Sequence, residues 1–358
     1  MYRKVVKSDI ILLTFVYIGG DKYMRYVGTF GSGWQTVIEK ILQEDNIKII
    51  EILDGFVIFE SDKINLKKYP FFNNVYLLLD SIKVKTNNID NNICLLISKA
   101  NIDFKTINIF LKQIKHRSFK IKAINGNQPA KINYANLVVL ENKIEKNTLM
   151  KIEKNSDIDF VFIQRSEGYM YFLMKLTYNR ITEKNLKQGS LRPEVCYLLS
   201  KLANIQEMDI VLDPFCGSGA IPKEIVKHFK YNMCFASDID ESKVSVLKKE
   251  YKNNNKKFFI KVADGLNLDR YEDNFIDAII TDPPWNIYNK SSDNFEKFYI
   301  DMLNEFSRIL KYDGRIVILM GNIDVFEKAL NITKLFKIKN KISVLINGKK
   351  ANAYLLIK

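Results

Sequence analysis

The run Asp213-Pro214-Phe215-Cys216-Gly217-Ser218-Gly219 decides how the C-terminal half of the chain is read. It ends the apolar segment Asp209–Asp213 and opens onto a helical pattern over Ala220–Phe229. Gly217 and Gly219 let the backbone turn sharply and come close to a ligand without a side chain in the way. Outward from this loop, strands are expected at Met233–Asp238, Phe258–Val262, Ile276–Thr281 and Arg315–Met320, with helices at Glu241–Tyr251 and Asn294–Leu310. Apolar strands alternating with helices predict an α/β domain, a parallel sheet covered on both faces. Two last runs, Lys341–Ile346 and Ala353–Ile357, flank Asn347-Gly348-Lys349 and predict a closing antiparallel hairpin.

In an open sheet of this kind a ligand lies beyond the carboxyl ends of the strands. The second strand ends at Asp238, about 20 residues past the glycine loop, where an acid can hold the two hydroxyls of a ribose. Asp240 fits the cap of the next helix. The third strand runs into Ala263-Asp264-Gly265, and Asp264 is placed to accept from an adenine amino group. Dinucleotide binding is disfavoured because Pro222 stands where a third glycine would fall. Asp213 suits a cofactor with a positive amino group, which points to S-adenosylmethionine. Asp213, Phe215, Cys216, Gly217, Gly219, Asp238, Asp264 and Gly265 are the candidate cofactor contacts.

The fourth strand ends in Thr281-Asp282-Pro283-Pro284-Trp285. An exocyclic amine on a base has its lone pair delocalised into the ring, so acceptors must hold its hydrogens before it can attack a methyl group. The Asp282 carboxylate and the Pro283 carbonyl are such acceptors, and two prolines stiffen the loop that aims them. Trp285 offers a flat face for an unstacked base. Asp282, Pro283, Pro284 and Trp285 are therefore the candidate catalytic residues. The expected reaction is in-line attack of the amine on the methyl group, driven by positioning and without a metal.

The 358 residues carry a net charge of +14. Residues 1–180 hold 27 Lys and Arg against 18 acids, so most of the excess lies there. Lys112, Lys115, Arg117, Lys120 and Lys122 sharpen it into a candidate RNA-binding segment. Strand-like runs appear at Ile10–Ile18, Ile49–Phe59, Val75–Leu79, Phe160–Ile163 and Met170–Met174, and helical patterns at Trp34–Gln43 and Ile107–Ile114. Asn87–Asn92 reads as a polar loop. Residues 1–180 are thus expected to form an α+β domain, residues 181–189 a linker, and residues 190–358 the catalytic domain. Ser190 is expected to cap a helix with Pro193 in its first turn, burying Val195, Leu198, Leu199 and Leu202.

Cys94, Cys196, Cys216 and Cys234 form no Cys-x-x-Cys pair, and His116 and His228 lie far apart. These spacings argue against a metal centre or a disulfide framework and predict a reducing cytoplasm. The apolar run near the N-terminus is too short to span a membrane.

Taken together, Leu191-Arg192-Pro193, the glycine loop and Asp282-Pro283-Pro284-Trp285 resemble the class I methyltransferases acting on amino nitrogens. More narrowly, they are similar to the THUMP-domain RNA methyltransferases. The resemblance implies a Rossmann-like catalytic domain behind an N-terminal THUMP-like RNA-binding region, and methylation of guanosine N2 in tRNA or rRNA. Two departures stand out: Ala220 where the family more often has Thr, and Asn286 where Gly commonly follows the aromatic residue. Asp282-Pro283-Pro284-Trp285 also resembles the loop of adenine-N6 methylases acting on RNA or DNA, which stays as an alternative. A catalytically silent RNA-binding protein that kept the fold is the alternative of another class.

Overall fold

The structure is a computed structural model that describes residues 24–62, 64–100, 102–113, 118–177, 190–251, 255–285 and 292–358. The expected strand Ile10–Ile18, the basic residues Lys115 and Arg117, the linker 181–189 and Asn286 lie outside the described residues. The chain divides into two compact units. One comprises Met1–Phe30 with Glu39–Arg180, the other Gly31–Ile38 with Ile181–Lys358.

In chain order the first 13 elements are β1 (Met24–Thr29), α1 (Gln35–Glu44), β2 (Lys48–Leu53), β3 (Phe56–Ser61), β4 (Asn74–Lys83), α2 (Ile89–Lys99), α3 (Phe104–Gln113), β5 (Ser118–Asn125), β6 (Gln128–Ala130), α4 (Tyr134–Thr148), β7 (Lys151–Ile152), β8 (Ile158–Arg165) and β9 (Tyr169–Lys175). Their strands form a mixed sheet in the order β2-β3-β1-β4-β9-β8-β5-β6, with β7 beside β5. Val27, Phe56, Ile58, Tyr76, Val161, Ile163, Tyr171 and Leu173 form a core cluster in this sheet. The run read as one strand, Ile49–Phe59, is instead a hairpin. Leu53 pairs with Phe56, and Asp54-Gly55 makes the two-residue turn, with Gly55 at φ +72°. The segment read as a polar loop, Asn87–Asn92, starts α2. Asn88 caps it by accepting from the Asn91 N–H, and Asn92 is buried and donates to the Thr86 carbonyl and to Gln164.

The second unit contains α5 (Pro193–Leu202), β10 (Ile210–Asp213), α6 (Ala220–His228), β11 (Met233–Asp238), α7 (Glu241–Glu250), β12 (Phe258–Val262), β13 (Ile276–Thr281), α8 (Ser292–Ile309), β14 (Leu310–Met320), α9 (Ile323–Thr333), β15 (Lys337–Ile346) and β16 (Lys349–Ile357). The sheet order is β12-β11-β10-β13-β14-β16-β15. Strands β10 to β14 pair with one another in parallel, and β16 runs antiparallel to both β14 and β15. This is the expected parallel sheet with a terminal antiparallel hairpin. Asn347 and Gly348 turn that hairpin with φ of +51° and +78°, the positive pair that a two-residue turn of this kind requires.

The chain runs from β10 outward to β12 and then returns to β13 on the other side of β10. That reversal opens a crevice at the carboxyl ends of β10 and β13. Leu212, Ile279, Phe306, Ile316, Ile318 and Tyr354 belong to the packed core that holds these strands. One local expectation fails here. Ser190 does not cap α5: Arg192 occupies the cap position with no side-chain cap bond, and the Ser190 hydroxyl lies 2.8 Å from that of Ser218 in the glycine loop. Among the described residues, no helix is long and apolar enough to cross a membrane.

Candidate active site

At the end of β10, Asp213 is only 2% exposed. Its Oδ1 accepts from the Thr281 hydroxyl at 2.7 Å and from the Phe215 N–H at 3.2 Å, so the ends of β10 and β13 are tied together. Burial pushes its pKa up to about 7; the two hydrogen bonds oppose that rise, and the charge of Asp238 adds to it. Gly217 and Gly219 adopt φ of +49° and +81°, values that L side chains resist. A Cβ on Gly219 would strike Leu247 at 2.5 Å, whereas one on Gly217 would meet nothing within 4 Å. The loop therefore packs on α7 with one glycine and borders open space with the other.

Asp238 fastens this loop. One carboxylate oxygen accepts from the Gly217 N–H at 2.8 Å and the other from the Asp240 N–H at 2.9 Å. A carboxylate has about four lone-pair sites, so both oxygens can still accept from a ligand. Asp240 caps α7 through the Ser242 and Lys243 N–H groups, as expected. Between the two aspartates, Ile239 is 70% exposed; this apolar surface was not singled out by the sequence reading. At the end of β12, Asp264 is exposed and accepts from the Leu266 N–H at 2.9 Å. Gly265 lies under the Phe215 ring, which a Cβ there would meet at 2.5 Å. Phe215 is thus a packing link between the first and third loops. Cys216 is buried, and burial raises its thiol pKa strongly.

At the end of β13, the Asp282-Pro283-Pro284-Trp285 loop is braced at three points. The Trp285 indole N–H donates to Asp282 Oδ1 at 2.8 Å and contacts the Leu319 carbonyl of β14 at 3.2 Å. The Trp285 ring lies on Gly321, where a Cβ would come 2.2 Å from it. The Tyr299 hydroxyl donates to the Pro284 carbonyl at 2.9 Å. That leaves the Pro283 carbonyl and Asp282 Oδ2 with no partner among the described residues. Asp282 as a residue is partly exposed, yet its carboxyl is desolvated enough to push the pKa up to about 8. The Trp285 bond opposes the rise, and the charge of Asp213 adds to it. Trp285 itself remains partly exposed, but its N–H and one side of its ring are committed to the fold. Gly321, Thr281 and Tyr299 were not identified from sequence, because their partners are brought to them only by the sheet and α8.

The basic residues in the first unit differ in availability. Lys112 is exposed in the last turn of α3. Lys120 and Lys122 on β5 both lie against Asp159, at 3.6 and 2.7 Å, so part of their charge is compensated. Among the described residues there is no group of three or more His, Cys, Asp or Glu side chains arranged to hold a metal ion.

Residues 180–351 match the family model described as UPF0020, RMKL-like, methyltransferase domain. The tRNA (guanine(10)-N2)-dimethyltransferase of Methanocaldococcus jannaschii is 24% identical over 192 residues, covering 49% of this chain and 52% of that protein. The tRNA (guanine(6)-N(2))-methyltransferase THUMP3 of Bos taurus is 28% identical over 221 residues, 56% of this chain and 43% of that one. The chain thus spans about half the length of these two relatives. The crystal structure of TrmN from Thermus thermophilus superimposes with a TM-score of 0.72 at 17% identity, covering 94% of this chain and 99% of that one. This last likeness is one of fold.

Proposed function

We propose that this chain, whose residues 180–351 form an RMKL-like methyltransferase domain, transfers a methyl group from S-adenosylmethionine to the exocyclic amino nitrogen of a base in RNA. Guanosine N2 of tRNA is the favoured target, with rRNA the other RNA considered. The observation that carries this reading is the loop at the carboxyl end of β13, the strand beside β10, where Asp282 Oδ2 and the Pro283 carbonyl have no partner among the described residues. Two relatives named as tRNA guanine-N2 enzymes support the choice of base and of RNA.

The residues fit the cofactor. The open side of Gly217 leaves room that a Cβ would occupy, Asp238 retains lone pairs toward it, and Ile239 offers an exposed apolar surface for a flat ring. When bound, the cofactor supplies an electrophilic methyl group. Asp282 and the Pro283 carbonyl accept the two amine hydrogens and localise its lone pair, while the Trp285 bond fixes the carboxylate's angle. Positioning of this kind supplies most of the acceleration. Asp282 Oδ2 is also the nearest identified base for the proton that the amine must release. Trp285 presents its remaining exposed surface to the base, and Lys112 and the neighbouring basic residues hold phosphates.

The test is to offer methyl-labelled cofactor with total tRNA, rRNA and duplex DNA separately. Label entering tRNA or rRNA supports the reading. Label entering DNA alone, or no acceptor at all, removes it.

A further inference from the structure

Beyond the Asp282 loop, the substrate end of the sheet carries one polar side chain that the reaction as described does not use. Strand β14 ends at Met320, Gly321 lies under the Trp285 ring, and Asn322 follows at the N-cap of α9. Asparagine at such a position ordinarily spends its side-chain oxygen on an N–H of the first helical turn. Asn322 does not. Its backbone sits at φ −87° and ψ 69°, its side chain makes no cap bond, and only its backbone carbonyl is engaged, by the Phe326 N–H at 3.1 Å. The carboxamide has no partner among the described residues and is partly exposed.

Its place in the sheet is defined by the same contacts that hold the loop. Strand β14 lies beside β13, with Ile318 opposite Thr281. The next residue, Leu319, offers its carbonyl to the Trp285 N–H, and the ring rests on Gly321. Asn322 is therefore the first polar side chain past the surface on which Trp285 is seated. The charge of Asp213 already raises the pKa of Asp282 on the neighbouring strand, and a neutral amide brings hydrogen-bonding capacity without a further charge.

We propose, resting on the amino-methylation reading above, that Asn322 contacts the ring edge of the base whose amino group Asp282 holds, and selects guanine by that contact. Guanine presents an O6 acceptor and an N1–H donor beside its 2-amino group. A carboxamide has both complements, an N–H for O6 and an oxygen for N1–H. Asn322 is thus a specificity residue, acting on the base and not on the cofactor.

The experiment compares wild type with Asn322→Ala and Asn322→Asp, using in vitro-transcribed tRNAs as methyl acceptor and S-adenosylhomocysteine as the cofactor probe. The aspartate variant keeps the size and cap preference of the native residue but removes the donor for O6. Both variants are expected to lose about 10- to 100-fold in kcat/KM for tRNA, the range for losing a paired contact to a base edge. Their S-adenosylhomocysteine affinity and melting temperature should stay at wild-type values. Activity within twofold of wild type in both variants would overturn the role. So would a loss of S-adenosylhomocysteine affinity that matches the loss of activity, since Asn322 would then act through the fold. A wild-type protein that methylates no RNA refutes the underlying reading itself, which sets that failure apart from one confined to Asn322.

Discussion

The Trp285 indole N–H lies 2.8 Å from Asp282 Oδ1, so the aromatic residue of the loop orients its acid directly. That hydrogen bond also opposes the burial that raises the Asp282 pKa. Trp285→Phe keeps the ring on Gly321 but removes the N–H. The pH profile of kcat/KM, which reports the free enzyme, should rise with pH as Asp282 ionises, with its midpoint near 8 in the wild type. The phenylalanine variant should move that midpoint upward. An unmoved or lowered midpoint would show that the indole does not tune the acid.

Stability should carry the same signature. Asp282 has a folded-state pKa raised to about 8, well above the ordinary value of about 3.9 for an unfolded chain. The protonated form is thus the one favoured by folding, and its contribution is complete below the unfolded pKa and lost as pH rises through the folded one. Asp282→Asn should match the wild-type melting temperature near pH 4 and exceed it progressively towards pH 9. A difference that does not grow with pH would contradict the buried carboxyl.

Two glycines make separable predictions. Gly321→Ala would drive a methyl group into the Trp285 ring, and Gly265→Ala would drive one into the Phe215 ring. Each overpacking should cost about 1–3 kcal/mol, read as a lower melting temperature. Gly321→Ala should depress methyl transfer more than S-adenosylhomocysteine binding, and Gly265→Ala the reverse. Identical patterns in the two variants would mean that the loops do not divide substrate from cofactor.

Phosphate binding should follow the free charge. Lys122 is held by Asp159 at 2.7 Å, whereas Lys112 is exposed. Lys112→Ala should therefore weaken tRNA binding more than Lys122→Ala, and it should lower the salt slope by about one. Equal effects would place the RNA elsewhere on the unit.

How much of this was legible depended on whether a feature was local. Strands β11, β12 and β13 were read to the residue because their short, largely apolar runs are bounded by polar turns. Asp240 was legible as a cap because it sits two and three residues before the N–H groups it accepts from. Helix α9 (Ile323–Thr333) drew no expectation at all, although its apolar residues recur at helical spacing. In the first unit, the asparagines at 87, 88, 91 and 92 suggested a loop, but one of them caps a helix and another is buried in it. The Asp54-Gly55 turn was written in the sequence and passed over inside an apolar run. The ring-on-glycine contacts of Phe215 with Gly265 and Trp285 with Gly321 were not legible at all. Each joins loops from different strands, and only the strand order brings them together. Trp285 was expected as a stacking face; its bond to Asp282 shows that part of the indole serves the loop itself.

The most direct test is to identify the methylated nucleoside made from tRNA by wild type and by Asp282→Ala, using mass spectrometry. The account predicts N2-methylated guanosine from the wild type, with turnover lower by about 10²–10⁴ in the variant and cofactor affinity retained. A methyl group on a ring atom or a ribose, or a variant as fast as the wild type, would contradict it.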